Sequence, residues 1–198
     1  MNHINSKKVI MSRCMLMESF YIQNTFQAYV DAIIPRTPRL AEEYGRIQYY
    51  GAIDLQVEQF LIYELDRYPI PMAEPTAGLL NAAAIRLRQE QGFAGEENFA
   101  ALSPLERLMA IDMLGRQMVD PDVLPAVFQA DPGLIPVIVV ALFHFTLMGY
   151  YSEWSGYGST RLRPPEERVL EFKPVSWMQI EYPGPSLGYR VSRPFRFA

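Results

Sequence analysis

A mainly α fold is predicted by three observations. Apolar residues recur at helical spacing in several segments before residue 150. Prolines, glycines and capping residues stand where those segments should start and stop. One run, Leu134 to Met148, is almost wholly apolar.

Phe20 to Ile34 comes first, with Phe20, Ile22, Phe26, Tyr29, Val30, Ile33 and Ile34 at helical spacing. Pro35 and Pro38 end it, because proline lacks the amide donor and clashes with the turn before it. Arg36 to Gly51 reads as a long loop with a helical turn around Leu40 to Tyr44. Asp54 then suits the N-cap of a helix over Leu55 to Tyr68, with Leu55, Phe60, Leu61 and Leu65 inward. Pro69 and Pro71 break it. A third long helix starts at Pro75 or Thr76 and runs to about Gln91. It turns Leu79, Leu80, Ala83, Ala84 and Leu87 inward, and Gly92 closes it.

Ser103-Pro104-Leu105-Glu106 is the clearest local signal, a capping box with proline at the first helical position. The helix after it, to about Val119, is expected to bury Leu105, Leu108, Met109, Met113 and Leu114. A short helix near Val123 to Gln129 lies between Asp120-Pro121 and Asp131-Pro132. Leu134 to Met148 is shorter than the ~20 apolar residues of a membrane span. It also holds Pro136, His144 and Thr146 and has no basic anchor, so it reads as a core helix buried on all sides. The expected architecture is a compact helical bundle around that helix at about 134–148. Residues 19–198 form one domain and 1–18 an N-terminal tail.

The C-terminal part, about 150–198, is an irregular arm rich in aromatics, proline and glycine. Tyr and Trp give rigid contact area with a polar tip, and proline lowers the ordering cost of an extended arm. Tyr151, Trp154, Tyr157, Trp177, Tyr182, Pro183, Pro185 and Tyr189 are therefore the candidate partner-interface residues. Such an arm either folds back over its own helices or wraps a partner, and the residues leave both open.

Composition narrows the function. A net charge of −4 argues against nucleic acid as the main partner. A single cysteine, Cys14, excludes an intrachain disulfide, Cys-x-x-Cys-His haem attachment and a thiolate cluster supplied by this chain alone. The two histidines, His3 in the tail and His144 read as a core residue, cannot build a His-rich zinc site. The carboxylate pairs Glu42 and Glu43, Glu64 and Asp66, and Glu96 and Glu97 read as solvated charge. No Gly-rich nucleotide loop and no Gly-x-Ser-x-Gly elbow occurs. No catalytic, cofactor-binding or metal-binding residue is expected, and an enzyme acting alone is not the expectation. Lys7, Lys8 and the residues after them imitate a signal peptide poorly, with no cleavage site and no twin arginine. Met17 is an alternative start.

Several short motifs resemble one family. Tyr29-Val30-Asp31-Ala32-Ile33-Ile34-Pro35 looks like the "F-v-D-t-I-I-P" opening of the small (gamma, or third) subunit of gluconate 2-dehydrogenase-type enzymes. Gly149-Tyr150-Tyr151-Ser152 with Gly156-Tyr157-Gly158 is similar to the region after that family's last long helix. Trp177 followed by Tyr182-Pro183-Gly184-Pro185 resembles its closing "W…-G-Y-P-G" motif, with Glu181 where a glycine is usual.

The resemblance implies a non-catalytic accessory subunit with no cofactor of its own. Its partner would be a large FAD-containing subunit of the glucose–methanol–choline type, oxidising a sugar, polyol or sugar acid. A cytochrome c subunit would take the electrons. The small subunit would support folding, stability or export of the large one. Without a twin-arginine signal, the complex is expected to stay in the cytoplasm or to be exported on the partner's signal. From another class, the alternative is a stand-alone sugar or small-molecule binding module that stacks its ligand on the C-terminal aromatics.

Overall fold

A computed structural model describes residues 19–67, 69–93 and 98–184. The fold is mainly α, with no strand among the described residues. In order, the helices are α1 (19–33), α2 (Pro38–Tyr44), α3 (Val57–Asp66), α4 (Ala73–Glu90), α5 (Pro104–Gly115), α6 (Ala126–Ala130), α7 (Leu134–Tyr151) and α8 (Val175–Gln179). Tight 3-10 turns join them at Arg46–Tyr49, Phe99–Ala101, Pro121–Val123, Trp154–Thr160 and Pro165–Glu167. The sequence leads to the expectation of one domain over 19–198. The chain divides into two compact units, one holding residues up to Tyr29 and Ile62–Val139, the other Val30–Leu61 and Val140 onward.

The first unit is organised on Asn81 of α4. Its amide nitrogen donates to the Ala77 carbonyl at 2.7 Å and to the Tyr21 hydroxyl at 2.6 Å, both within this unit. Its oxygen accepts the Phe99 amide at 2.7 Å, which holds the Phe99–Ala101 turn on α4. Phe99 is fully buried, so this bond satisfies a backbone donor that water cannot reach. Burial pushes the Tyr21 hydroxyl above its ordinary range, and the bond to Asn81 opposes that shift.

α4 packs along α5, and Leu80, Ala83, Ala84 and Leu87 are among its buried side chains. The predicted capping box is present: the Ser103 side chain accepts the Glu106 amide, and the Glu106 carboxylate accepts the Ser103 amide at 2.9 Å. The same carboxylate takes Arg88 of α4 at 2.6 Å. Gly92, at φ 81°, closes α4 with a Schellman pair: Gly92 N–H to Gln89 and Phe93 N–H to Arg88. α5 closes in the same way at Gly115, short of the expected Val119, with Gln117 in the left-handed position at φ 56°.

Several expectations about facing are corrected. α5 buries Ala110, Met113 and Leu114, while Leu105, Leu108 and Met109 are exposed. In α1, Phe20 is exposed and Thr25 and Ala28 take inward places. α7 is longer than the apolar run and is not buried on all sides: only 28% of it is buried. An all-apolar sequence carries no mark of which face will find neighbours. The inward face here is Ile135, Leu142, Thr146, Gly149 and Tyr150, each about two helical turns or less from the next. His144 faces out from this helix instead of sitting in a core.

The second unit opens with the loop after Pro35. The guanidinium of Arg36 grips Asp54 through two nitrogens, with Nη2 at 2.7 Å and Nε at 3.0 Å from its carboxylate oxygens. Asp54 also accepts the Gly51 amide at 3.0 Å. It is therefore a clamp across the Gly51–Gln56 turn, not an N-cap, and α3 begins only at Val57. The Arg36 bond holds the Asp54 carboxyl below its usual range, against the opposing effect of burial.

Both contacts are open to mutation. Asn81→Ala strips the partner from a buried amide and should cost about 2–3 kcal/mol in urea unfolding; a loss under about 0.5 kcal/mol would remove Asn81 from its organising role. The Asp54 pair has a depressed folded pKa, so its stabilisation is complete above the unfolded value near ~3.9 and is lost as pH falls through the folded value. Asp54→Asn should thus be less stable than the parent at neutral pH, with the gap closing in acid. A gap independent of pH would show that the clamp's charge contributes nothing.

Candidate docking surface

The C-terminal segment packs on elements of its own unit. The 150–198 arm was expected to be irregular, but its described part forms the turns at Trp154–Thr160 and Pro165–Glu167 and the helix α8. Two features of α7 and the turn after it make room. A Cβ on Gly149 would lie 2.8 Å from Phe60 and 2.9 Å from Val57, so glycine lets α7 lie close on α3 residues of this unit. At Gly156 a Cβ would meet the Phe172 carbonyl at 2.6 Å, and the Gly156 carbonyl accepts the Glu171 amide at 2.8 Å. Residues 170–172 are laid across the turn by this pairing.

Trp154 is 1% exposed. Its Nε1 donates to the Gln56 carbonyl at 3.0 Å, and its ring meets Phe60 edge-on with centroids 5.2 Å apart. The guanidiniums of Arg161 and Arg168 stand over the same ring at 6.0 and 5.8 Å. Gln56 is left-handed at φ 53° and also accepts a short bond from Arg161. Trp177 is 5% exposed, donates from Nε1 to the Tyr151 carbonyl at 2.8 Å, and takes the edge of Tyr182 at 5.0 Å.

Gln179 fastens α8 to the rest of the unit. Its amide nitrogen donates to the carbonyls of Ile47 and Tyr50 at 3.0 and 3.1 Å, and its backbone carbonyl accepts Gln48 at 3.0 Å. The Tyr150 hydroxyl lies 2.6 Å from the Gln179 amide oxygen and 2.8 Å from the Tyr50 carbonyl, sharing one proton between them. Burial raises the Tyr150 hydroxyl above the ordinary tyrosine range, against the effect of the Gln179 bond. Gln179 is not among the residues the sequence singles out. A glutamine inside an aromatic stretch looks like surface, and only its partners reveal its place.

The candidate interface residues thus separate. Trp154 and Trp177 lie inside the unit. Tyr157 is partly buried beside Arg168, whose guanidinium stands 5.9 Å from its ring. Tyr151, Tyr182 and Pro183 are exposed, with Tyr151 at 45% and Tyr182 at 39%. Pro185 and Tyr189 lie outside the described residues, as do His3, Cys14, Glu96 and Glu97.

Tyr151 continues a row not foreseen from the sequence. On the α7 residues of this unit, Val140, Phe143, Met148 and Tyr151 are 45–55% exposed, and His144 is exposed among them. Their three-, four- and five-residue spacings keep them on the outward side of the helix. α7 carries no charged residue, and it is the helix among the described residues long and apolar enough to cross a membrane. Among the described residues no group of three His, Cys, Asp or Glu side chains is placed to hold a metal. Compared with models of protein families, with curated proteins and with solved structures, the chain matches none.

α8 ends with Glu181 in the left-handed position at φ 55°, where its N–H reaches Met178 and the Tyr182 N–H reaches Trp177 at 2.8 Å. This is the position at which the resembling motif has glycine. Glu181→Gly should therefore stabilise the chain by about 0.5–1 kcal/mol in thermal or urea unfolding; a loss of stability would mean the Glu181 side chain makes a compensating contact. Trp177→Ala should cost about 3–5 kcal/mol, because it removes a buried ring and orphans the Tyr151 carbonyl. A folded, equally stable Trp177→Ala protein would show that the segment is held by the Gln179 bonds alone.

Proposed function

We propose that this chain is a non-catalytic accessory subunit of a flavin-dependent dehydrogenase. Its partner is a large FAD-containing subunit of the glucose–methanol–choline type that oxidises a sugar, polyol or sugar acid. FAD belongs to the partner, and a cytochrome c subunit receives the electrons without needing a site on this chain. The chain's part is to support the folding, stability or export of the large subunit, and its compartment follows the partner's signal.

The observation that carries this reading is the outward face of α7. A row of half-exposed Val140, Phe143, Met148 and Tyr151 on an uncharged helix is surface that a stable complex would cover. The resembling motifs agree with it. Gly149 and Gly156 are the close-approach positions that seat the segment, and Trp177 to Tyr182 closes over the end of α7. The stand-alone sugar-binding reading draws less support, because Trp154 and Trp177, the best stacking rings, are buried.

Co-expression with a glucose–methanol–choline-type flavoprotein from the same genome tests the proposal. The tagged chain should co-elute with a yellow, FAD-containing partner. Val140→Asp and Met148→Asp should weaken that complex tenfold or more while the isolated variants keep the parent's helical spectrum and melting temperature; about 1.4 kcal/mol per tenfold is a modest demand for an uncompensated charge pressed into an apolar contact. A chain that elutes alone as a stable monomer, with no flavin, would sink the reading. Capture that survives both substitutions would move the interface off α7.

A further inference from the structure

No further inference is drawn: the strongest candidate, the cleft of about 660 Å³ in the first unit between α4 and residues 117–123, has only the surface side chains Arg86, Gln89, Gln117 and Asp120 as its polar lining, and nothing in the structure shows what would occupy it.

Discussion

The amide of Gln179 bonds to the carbonyls of Ile47 and Tyr50 and to the hydroxyl of Tyr150. These residues come from the turn after α2, the end of α7 and a five-residue helix near the end of the described chain. A helix as short as α8 has no stability of its own, since nucleation alone is unfavourable. Its position is set by these bonds and by the Trp177 ring beneath it. If the four groups were separated, three buried or half-buried carbonyls and a phenol would each need water. Any of these groups left buried without its partner or water would cost about 1–3 kcal/mol. The aromatic segment is therefore a tied-down part of the second unit as far as Tyr182.

Trp154 anchors the other end of the segment in the same way. Its burial removes roughly 150–250 Å² of ring from water, worth about 4–6 kcal/mol before ordering costs. The ring can be buried there because its one polar atom reaches the Gln56 carbonyl. Gln56 presents that carbonyl from a left-handed turn, a conformation that costs a non-glycine residue about 1 kcal/mol. Burial of the ring outweighs that cost, and the strained turn persists. Arg161 and Arg168 then cover the ring with guanidinium faces, so a charged surface lies directly over an apolar anchor.

Features governed by local chemistry were legible in the sequence. The capping box at Ser103 and Glu106, the stop at Pro35 and the close at Gly92 are decided within a few residues, and each lies where the residues put it. What needed a partner far along the chain was not legible. Asp54 looked like an N-cap because its grip on Arg36 is 18 residues away. Leu105, Leu108 and Met109 were expected inward with Met113 and Leu114, but only the last two are buried, joined by Ala110. In α7 the composition is apolar on every side, so periodicity is silent and only packing shows that His144 looks outward. The candidate rings divided for a related reason. Tryptophan and tyrosine offer the same contact area, and whether the polar tip finds a partner inside the unit decides which is core and which is surface.

That division bears on how the chain could hold another protein. Re-burying the exposed halves of Val140, Phe143, Met148 and Tyr151 returns about 1 kcal/mol each, about 4 kcal/mol together. Association costs at least that much in lost translational and rotational freedom. The α7 row is therefore enough to locate a contact but not enough to sustain a complex, which ordinarily buries about 800 Å² on each partner. The remainder has to come from surface next to it. Tyr182 and Pro183 are exposed at the edge of the Trp177 cluster, which is joined to Tyr151 through the Trp177 bond to its carbonyl. Under the proposed reading, the α7 face would set the register of a complex, and Tyr182 and Pro183 would add area beside it at low ordering cost.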